Sequence, residues 1–428
     1  MGRKTGKKKG GSKPKTKASS SSSTLPNSVS VTPPPSVEPE AAAAEVLLTV
    51  DVLRNILRRL SLADLLRAAL ACHRWRRVAA RCLPRAPPLL GYFFHPVKTP
   101  PPLPIRPTER IRYDAVFAPL DNASSPRLSL DFAPDASRFD LHDCHHGLVL
   151  LEPASEVPKF IHPRLLVLDP ATRRRALLPP PPRDTVPDDR RWRRSRHYVG
   201  SALLSRAHPS RLCFEAVCFA IDDGHPRAWV ASVDDGDCRW RALPRDEDVL
   251  VEFDPKWFEG RCVHAAGKLY WHICNSARLI ALDPATLRFS YLPAPADLPG
   301  NYSCYRIGET PEGRLCVVTV EEQVMRLWLR DETRRSNDGW LLETEMNLRR
   351  VYDTVPGLPK DMGARVANIW VTDIDAGNKR KLMLGHGRYS FDPTTRKLER
   401  LVTKSGKEYG DPIYAYFLAW PPAFLAQA

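Results

Sequence analysis

The spacing of apolar positions between residues 46 and 83 is typical of short α-helices. Asp64 is suited to be the N-cap of a second helix that begins at Leu65. A third helix carries Trp75 and Val78 on one face, which predicts a core position for Trp75. The first helix is indicated by apolar residues that recur at helical spacing, opposite Arg and Asn: Val52, Leu53, Ile56, Leu57 and Leu60.

These helices contain more apolar side chains than they can bury among themselves. A bundle of roughly 40 residues has little stability alone, so we expect the surplus to contact a partner protein. The residues predicted for this contact are Leu48, Val52, Leu53, Ile56, Leu57, Leu60, Leu65 and Leu66.

Residues 46–78 resemble the F-box, the adaptor-binding module of Skp1–cullin–F-box (SCF) ubiquitin ligases. The chain departs from the family pattern at Thr49, where proline is usual, and at Ala71 and His73. The resemblance implies binding to an Skp1-like adaptor, and through it to a cullin, by a subunit that is not itself an enzyme. The alternative is a helical hairpin that caps the downstream domain. The matching positions are Leu48, Asp51, Val52, Leu53, Ile56, Leu57, Arg59, Leu60, Asp64, Leu65, Leu66, Arg67, Cys72, Trp75 and Arg76.

From about residue 105 the pattern changes to β-branched and aromatic runs of five to eight residues, separated by turn residues. Three of these runs are copies of one another: Leu165–Thr172, Leu279–Thr286 and Arg388–Thr395. Each copy contains Asp-Pro followed two residues later by Thr, which predicts a hairpin turn. The Asp side chain accepts hydrogen bonds from backbone N–H groups two residues on, and the Pro fixes φ.

Degenerate copies at Asp234 and Asp331 bring the number of visible units to five, spaced by about 50 residues. A glycine-led strand precedes three of the copies and is interpreted as the inner strand of its unit. We predict that Asp169, Asp283 and Asp392 are structural, because each belongs to a different unit.

Units of this length with about four strands are typical of a β-propeller. A sixth blade, shared between residues 110–140 and the C-terminal strand, makes six the expected number. The predicted architecture is therefore a small all-α F-box module followed by an all-β propeller.

Residues 105–428 resemble the F-box-associated β-propeller of plant F-box proteins, through the LDPAT repeats and the HGLVLL run. That resemblance implies that the propeller holds a protein substrate.

Composition adds the remaining segments. The formal net charge is +15, and eight positive charges without an acid lie in the first 17 residues. We predict a disordered tail over 1–44, the F-box over 45–83, a proline-rich connector over 84–104 and the propeller over 105–428. The lysines favour either nuclear import or solubility, so nucleus and cytoplasm are both expected locations.

Ten cysteines without a Cys-x-x-Cys motif indicate reduced thiols in an intracellular protein, and no apolar run is long enough to span a membrane. Residues His142–His146 come closest to a metal motif, but neighbours on a strand point to opposite faces. Nucleophile, phosphate-loop and dinucleotide motifs are absent from the sequence. We expect no catalytic residue, no metal and no cofactor.

A basic run surrounds Trp192, and it is interpreted either as a solvated loop or as a contact for a substrate phosphate or acidic degron. Its arginines are Arg191, Arg193, Arg194 and Arg196. Arg173–Arg175 could add to the same face.

The first functional hypothesis is the substrate receptor of an SCF-type ligase. The alternative is a basic nuclear protein that associates with nucleic acid and has no ligase role, and an enzyme is the least favoured.

Overall fold

The computed structural model describes three short helices followed by a ring of strands. The predicted tail over 1–44 and Leu48 lie outside the described residues. The described ranges are 49–84, 86–96, 114–120, 128–154, 162–182, 196–209, 211–251, 258–273, 278–295, 305–321, 323–331, 339–353, 371–384, 388–410, 412–422 and 425.

The helices are α1 (Val50–Leu57), α2 (Leu62–Ala69) and α3 (His73–Ala80). The N-cap of α2 is Ser61, whose hydroxyl accepts a hydrogen bond from the backbone N–H of Asp64. The Asp64 carboxylate accepts a bond from the Ser61 hydroxyl in return. The prediction that Asp64 itself is the N-cap was therefore wrong by one turn, because the helix starts earlier and Asp64 is its third residue.

One small core holds the helices together, and it includes a residue from the far end of the chain. Trp75 is half-buried and packs against this core. The indole N–H of Trp420 donates to the Pro84 carbonyl (2.9 Å), so the C-terminal segment also contacts the end of the helical module. The buried members are Leu53, Leu57, Leu65, Ala69, Val78, Ala79 and Leu425.

The remaining elements form six antiparallel sheets, which are the six blades of a propeller. The first blade contains β1 (Leu89–Phe94), β2 (Val116–Pro119) and β23 (Ile413–Phe417). The second contains β3 (Phe139–His145), β4 (Leu148–Pro153), β5 (Leu165–Asp169) and β6 (Arg174–Leu178). The third contains β7 (Arg196–His208), β8 (Cys213–Asp222), β9 (His225–Asp234) and β10 (Asp237–Ala242).

The other three blades repeat this four-stranded meander. The fourth contains β11 (Phe258–Ala265), β12 (Lys268–Ile273), β13 (Arg278–Leu282) and β14 (Phe289–Pro293). The fifth contains β15 (Tyr305–Glu309), β16 (Leu315–Glu321), β17 (Val324–Arg330) and β18 (Trp340–Asn347). The sixth contains β19 (Val371–Ile374), β20 (Leu382–Leu384), β21 (Tyr389–Asp392) and β22 (Lys397–Arg400). A 3₁₀ turn (Pro134–Arg138) and a short helix α4 (Arg349–Asp353) complete the described elements.

The innermost strands lie around a common axis, where β23 contacts β3, β3 contacts β7, β7 contacts β11, β11 contacts β15 and β15 contacts β19. Each interface between adjacent blades has its own apolar core, and the six cores together close the ring. The predicted all-α F-box followed by an all-β propeller of six blades is thus confirmed. The glycine-led segments are second strands (β4, β12 and β16), so their interpretation as inner strands was wrong.

The two ends of the propeller meet in the first blade, where β1 pairs with β23 in the register Tyr92↔Ala415. On its other side, β1 pairs with β2, and these two strands approach closely at Gly91, where a Cβ atom would lie 2.2 Å from the Ala118 carbonyl oxygen. Because β1 begins at Leu89, the first strand lies inside the predicted connector over 84–104. A proline-rich stretch can still contribute an apolar strand between its prolines.

Within the described part of the chain, no helix is both long and apolar enough to cross a membrane. The eight cysteines in that part are free thiols.

Candidate functional site

Helix α1 presents apolar side chains to solvent on one side and to the core on the other. Val52 and Ile56 lie one turn apart and are 45 % and 39 % exposed, and Val50 is 41 % exposed. Leu53 and Leu57 face inward and are essentially inaccessible. Val52 and Ile56 therefore form an exposed apolar surface on the side away from the core, which we call the α1 surface, while Val50 lies at the start of the helix on the side of Leu53 and Leu57.

The residues predicted to contact a partner fall into different environments. Leu53, Leu57 and Leu65 are buried in the helical core of the isolated chain, and their contact with a partner stays a prediction. Leu60 and Leu66 are half-buried and pack against the same core. Of the predicted set, Val52 and Ile56 remain available, while Leu48 lies outside the described residues.

A cavity of about 870 Å³ opens on the propeller axis at the end where the innermost strands turn into the second strands. All six blades contribute to it through β3, β7, β11, β15, β19 and β23, and Ala86, Pro87 and Trp420 also line it. The rim includes the turns His146–Gly147 and Ala266–Gly267, whose residues all have positive φ. Two-residue turns of this kind match the twist of the adjoining strands.

The buried carboxylate of Asp143 links three innermost strands below the cavity. His264 Nε2 donates to Asp143 Oδ2 at 2.9 Å, and the backbone N–H of Leu203 donates to the same oxygen at 2.8 Å. Burial alone would raise the pKa of Asp143, but attraction to His264 and the hydrogen bonds it receives bring the pKa below its usual value. Asp143 therefore joins β3, β7 and β11.

A second charged pair crosses the axis between β11 and β19. Arg261 is ion-paired with Asp373 and also donates to the Ile413 carbonyl at 3.1 Å. Its guanidinium lies 5.0 Å from the centre of the Tyr414 ring. The two pairs give the cavity a polar floor.

Three imidazoles are in contact at one wall of the cavity. The rings of His145 and His264 are stacked with centroids 3.9 Å apart, and the ring of His146 lies 3.8 Å from that of His145. Burial, with the neighbouring His264 and His146, lowers the pKa of His145 well below its usual value, and burial also lowers that of His146. Within the described residues, no group of three or more His, Cys, Asp or Glu side chains has the arrangement of a metal site.

The three Asp-Pro turns lie between the third and fourth strands of three different blades. Asp169 Oδ1 accepts from the backbone N–H groups two and three residues on, at 3.1 Å each, and Asp283 and Asp392 do the same in their turns. Asp169 differs because its Oδ2 lies 2.5 Å from Arg206 Nη2, in a pair that is almost completely buried. The sequence contained no signal for this partner, which comes from β7 in the next blade.

The basic run falls mostly outside the described residues, as do Arg191, Arg193 and Arg194. Arg196 opens β7, at the end of the blade opposite the cavity, whereas Arg173–Arg175 follow a turn at the cavity end. Arg196 and Arg173–Arg175 therefore lie at opposite ends of their blades, so the suggestion of a shared face is wrong for Arg196.

Comparison with solved structures finds matches of low similarity. The β-propeller domain of Cps50 (Swd1) from Myceliophthora thermophila is 12 % identical, with 69 % of this chain and 82 % of that chain covered and a TM-score of 0.34. The PQQ-bound aldose sugar dehydrogenase from Streptomyces coelicolor is 12 % identical, with coverage of 65 % and 80 % and a TM-score of 0.31. These values carry no argument about function. No curated protein matches the chain.

Two sequence families match the chain. Residues 47–85 match the F-box domain, which includes the whole of α1, α2 and α3. Residues 140–424 match the family described as "F-box protein AT5G49610-like, beta-propeller", from the second blade to the C-terminal segment. Since this match spans more than half of the sequence, the chain belongs to the AT5G49610-like family of F-box proteins with a β-propeller.

Proposed function

We propose that this protein is the substrate-receptor subunit of an SCF-type ubiquitin ligase. F-box domains bind Skp1-like adaptors in these complexes, and F-box subunits are typically not catalytic. In this proposal the F-box docks on the adaptor, which connects it to a cullin, and the propeller holds a protein substrate. The receptor contributes proximity, because it raises the local concentration of substrate lysines near the ubiquitin-carrying subunit.

The observation that supports the adaptor role best is the α1 surface. Val52 and Ile56 are exposed on a helix whose other side is packed through Leu53 and Leu57. Exposed apolar side chains on a small module are costly in water unless a partner covers them. Adaptor contact would bury Val52 and Ile56 without disturbing Leu53 and Leu57 beneath them.

Adaptor binding is tested with Val52→Asp combined with Ile56→Asp. If both side chains are central to the contact, each loss costs about 2 kcal/mol, so affinity for an Skp1-like adaptor falls by about 1,000-fold. Titration calorimetry measures the affinity. Hydrogen exchange verifies that α1 remains protected.

The matched control replaces two exposed leucines on outer strands of the propeller, Leu177→Asp and Leu342→Asp. This variant changes charge and apolarity by the same amount and should bind the adaptor like the unmodified protein. Equal affinity of the folded Val52→Asp, Ile56→Asp variant and its control would refute the adaptor assignment.

The substrate role is tested with the same adaptor-defective variant in cells. A receptor that cannot reach the ligase should retain its substrate, so proteins captured by this variant should be more abundant than those captured by the control. They should lose their ubiquitin modification when the unmodified receptor is absent. If no protein shows both behaviours, the propeller is not acting as a substrate receptor.

A further inference from the structure

The axial cavity has two chemically different regions. His145, His146 and His264 form one wall, on the β3 and β11 hairpins. An apolar patch comes from the sixth blade and the C-terminal segment, next to the polar Asp373, Lys379 and Arg380 of the same blade: Ile374, Ala376, Ile413, Ala415, Phe417 and Leu418. A ligand that fits both regions has a polar group at one end and an apolar body at the other.

The charges around the cavity favour an anion. All three acidic side chains in its lining are already in ion pairs: Asp143 with His264, Glu309 with Lys379, and Asp373 with Arg261. The lining also contains Lys268 and Arg380, which have no ion pair within 4.0 Å among the described residues. Four Lys and Arg side chains thus face three carboxylates.

Lys268 lies next to the imidazole wall, because it begins β12 directly after the turn that follows His264. The pKa of Asp283 is lowered mainly by the amides of its own turn and further by Lys268, and the pKa of Glu312 is lowered mainly by hydrogen bonds and in part by Arg380, so both basic side chains also interact with carboxylates outside the cavity lining. The rings of His145 and His146 have no hydrogen-bond partner within the described chain, so their nitrogens are available to a ligand.

We propose that the axial cavity is a binding site for an organic anion with an apolar body. Its acidic group lies at the imidazole wall near Lys268, and its apolar body lies against the apolar patch formed by β19 and β23. Such an anion can be a free small acid, or the C-terminal carboxylate of a protein with an apolar last residue. This site is independent of the proposed ligase role.

The test uses the full-length protein and a panel of aryl and alkyl carboxylates of up to about 15 non-hydrogen atoms, each paired with its neutral primary amide. Ligand-observed NMR measures binding. We expect the carboxylates to bind about tenfold more tightly than the amides. Lys268→Gln should remove that difference, while Lys404→Gln, an exposed lysine outside the cavity, should preserve it.

A second pair of variants tests the place of binding. Ala376→Trp fills the cavity mouth and should abolish binding of acids and amides alike. Ala171→Trp, at an exposed turn in another blade, should leave both unchanged.

Peptides ending in phenylalanine carboxylate, compared with their C-terminal amides, distinguish a protein C-terminus from a free small acid as the source of the ligand. Peptide acids that compete more strongly than the free acids indicate a protein C-terminus, and weaker competition indicates a small acid.

Three results would overturn the proposal. The first is that no carboxylate in the panel binds. The second is equal binding of carboxylates and amides, and the third is equal effects of Lys268→Gln and Lys404→Gln.

Discussion

The two folded regions of this chain are stabilised in different ways. The F-box has one core of seven buried residues, and one of them comes from the far end of the chain. The propeller has six cores, one at each interface between neighbouring blades. A single lost contact is therefore a large fraction of F-box stability and a small fraction of propeller stability, so the F-box should be the more sensitive region.

The largest difference is expected for one substitution made in both regions, Leu57→Ala in the F-box and Leu150→Ala in the propeller. Both leucines are fully buried, so each loss costs about 2–5 kcal/mol. We expect Leu57→Ala to unfold α1–α3 and abolish adaptor binding, while Leu150→Ala only lowers the melting temperature of the propeller. Region-resolved hydrogen exchange measures both. Protection of α1 from hydrogen exchange in the Leu57→Ala protein would contradict the expectation that the F-box is the more sensitive region.

The next effect concerns the ion pair between the second and third blades. Arg206→Ala leaves the Asp169 carboxylate buried without its partner, which costs about 3–5 kcal/mol. The matched control is Arg211→Ala, which removes an exposed arginine 3.1 Å from Asp235 and should cost at most about 1 kcal/mol. Chemical denaturation measures both losses. Similar losses for the two variants would show that the buried ion pair contributes no more to the free energy of unfolding than the exposed one.

The histidine wall makes propeller stability depend on pH. The folded-state pKa of His145 is well below the ordinary value of 6.5, so below about pH 6.5 the unfolded chain binds the proton first. The contribution of His145 to the free energy of unfolding is therefore fully present above that pH. It is lost as the solution is acidified, with a slope approaching about 1.4 kcal/mol per pH unit.

His145→Gln should flatten this slope, measured by denaturation between pH 7.5 and 5.5. His73→Gln, at an exposed site in the F-box, should leave it unchanged. If the His145→Gln protein retains the full slope, another group is responsible.

The smallest effect is expected for the Asp-Pro turns that have no buried partner. Asp283→Ala removes an acceptor for the amides of Ala285 and Thr286 and should cost about 1 kcal/mol. Asp283→Asn keeps an acceptor oxygen in the same place and should cost less. Thermal unfolding of the two variants measures the difference. A larger loss for Asn than for Ala would argue against the turn role.

The predictable part of the fold was the local part. The Asp-Pro repeats revealed the outer hairpins because a turn and its two strands are contiguous in sequence. The innermost strands were not predicted because several of their side chains are polar residues that line the central axis. Phe139–His145 contains two histidines and two aspartates, and it has an irregular register at His142, which obscures the alternation of a strand.

The candidate sites were less predictable for a related reason. Leu53 and Ile56 are both apolar and three residues apart, and only the packing of α3 and Leu425 decides which one is buried. The axial cavity combines Asp143, Arg261, Asp373 and Tyr414 from four blades. No local pattern connects positions so distant in sequence, and the run of histidines before Gly147 was considered only as a metal motif and set aside.

The position of Leu425 has a consequence for how the protein is made. During translation the F-box helices emerge from the ribosome first, yet their core lacks Leu425 until nearly all the described chain has been synthesised. The same final stretch supplies β23, the strand that closes the ring against β1. A chain that stalls before this point therefore has neither a complete F-box core nor a closed propeller. An adaptor that requires a well-packed F-box would thereby select receptors whose propeller is finished, which would provide quality control at the level of assembly.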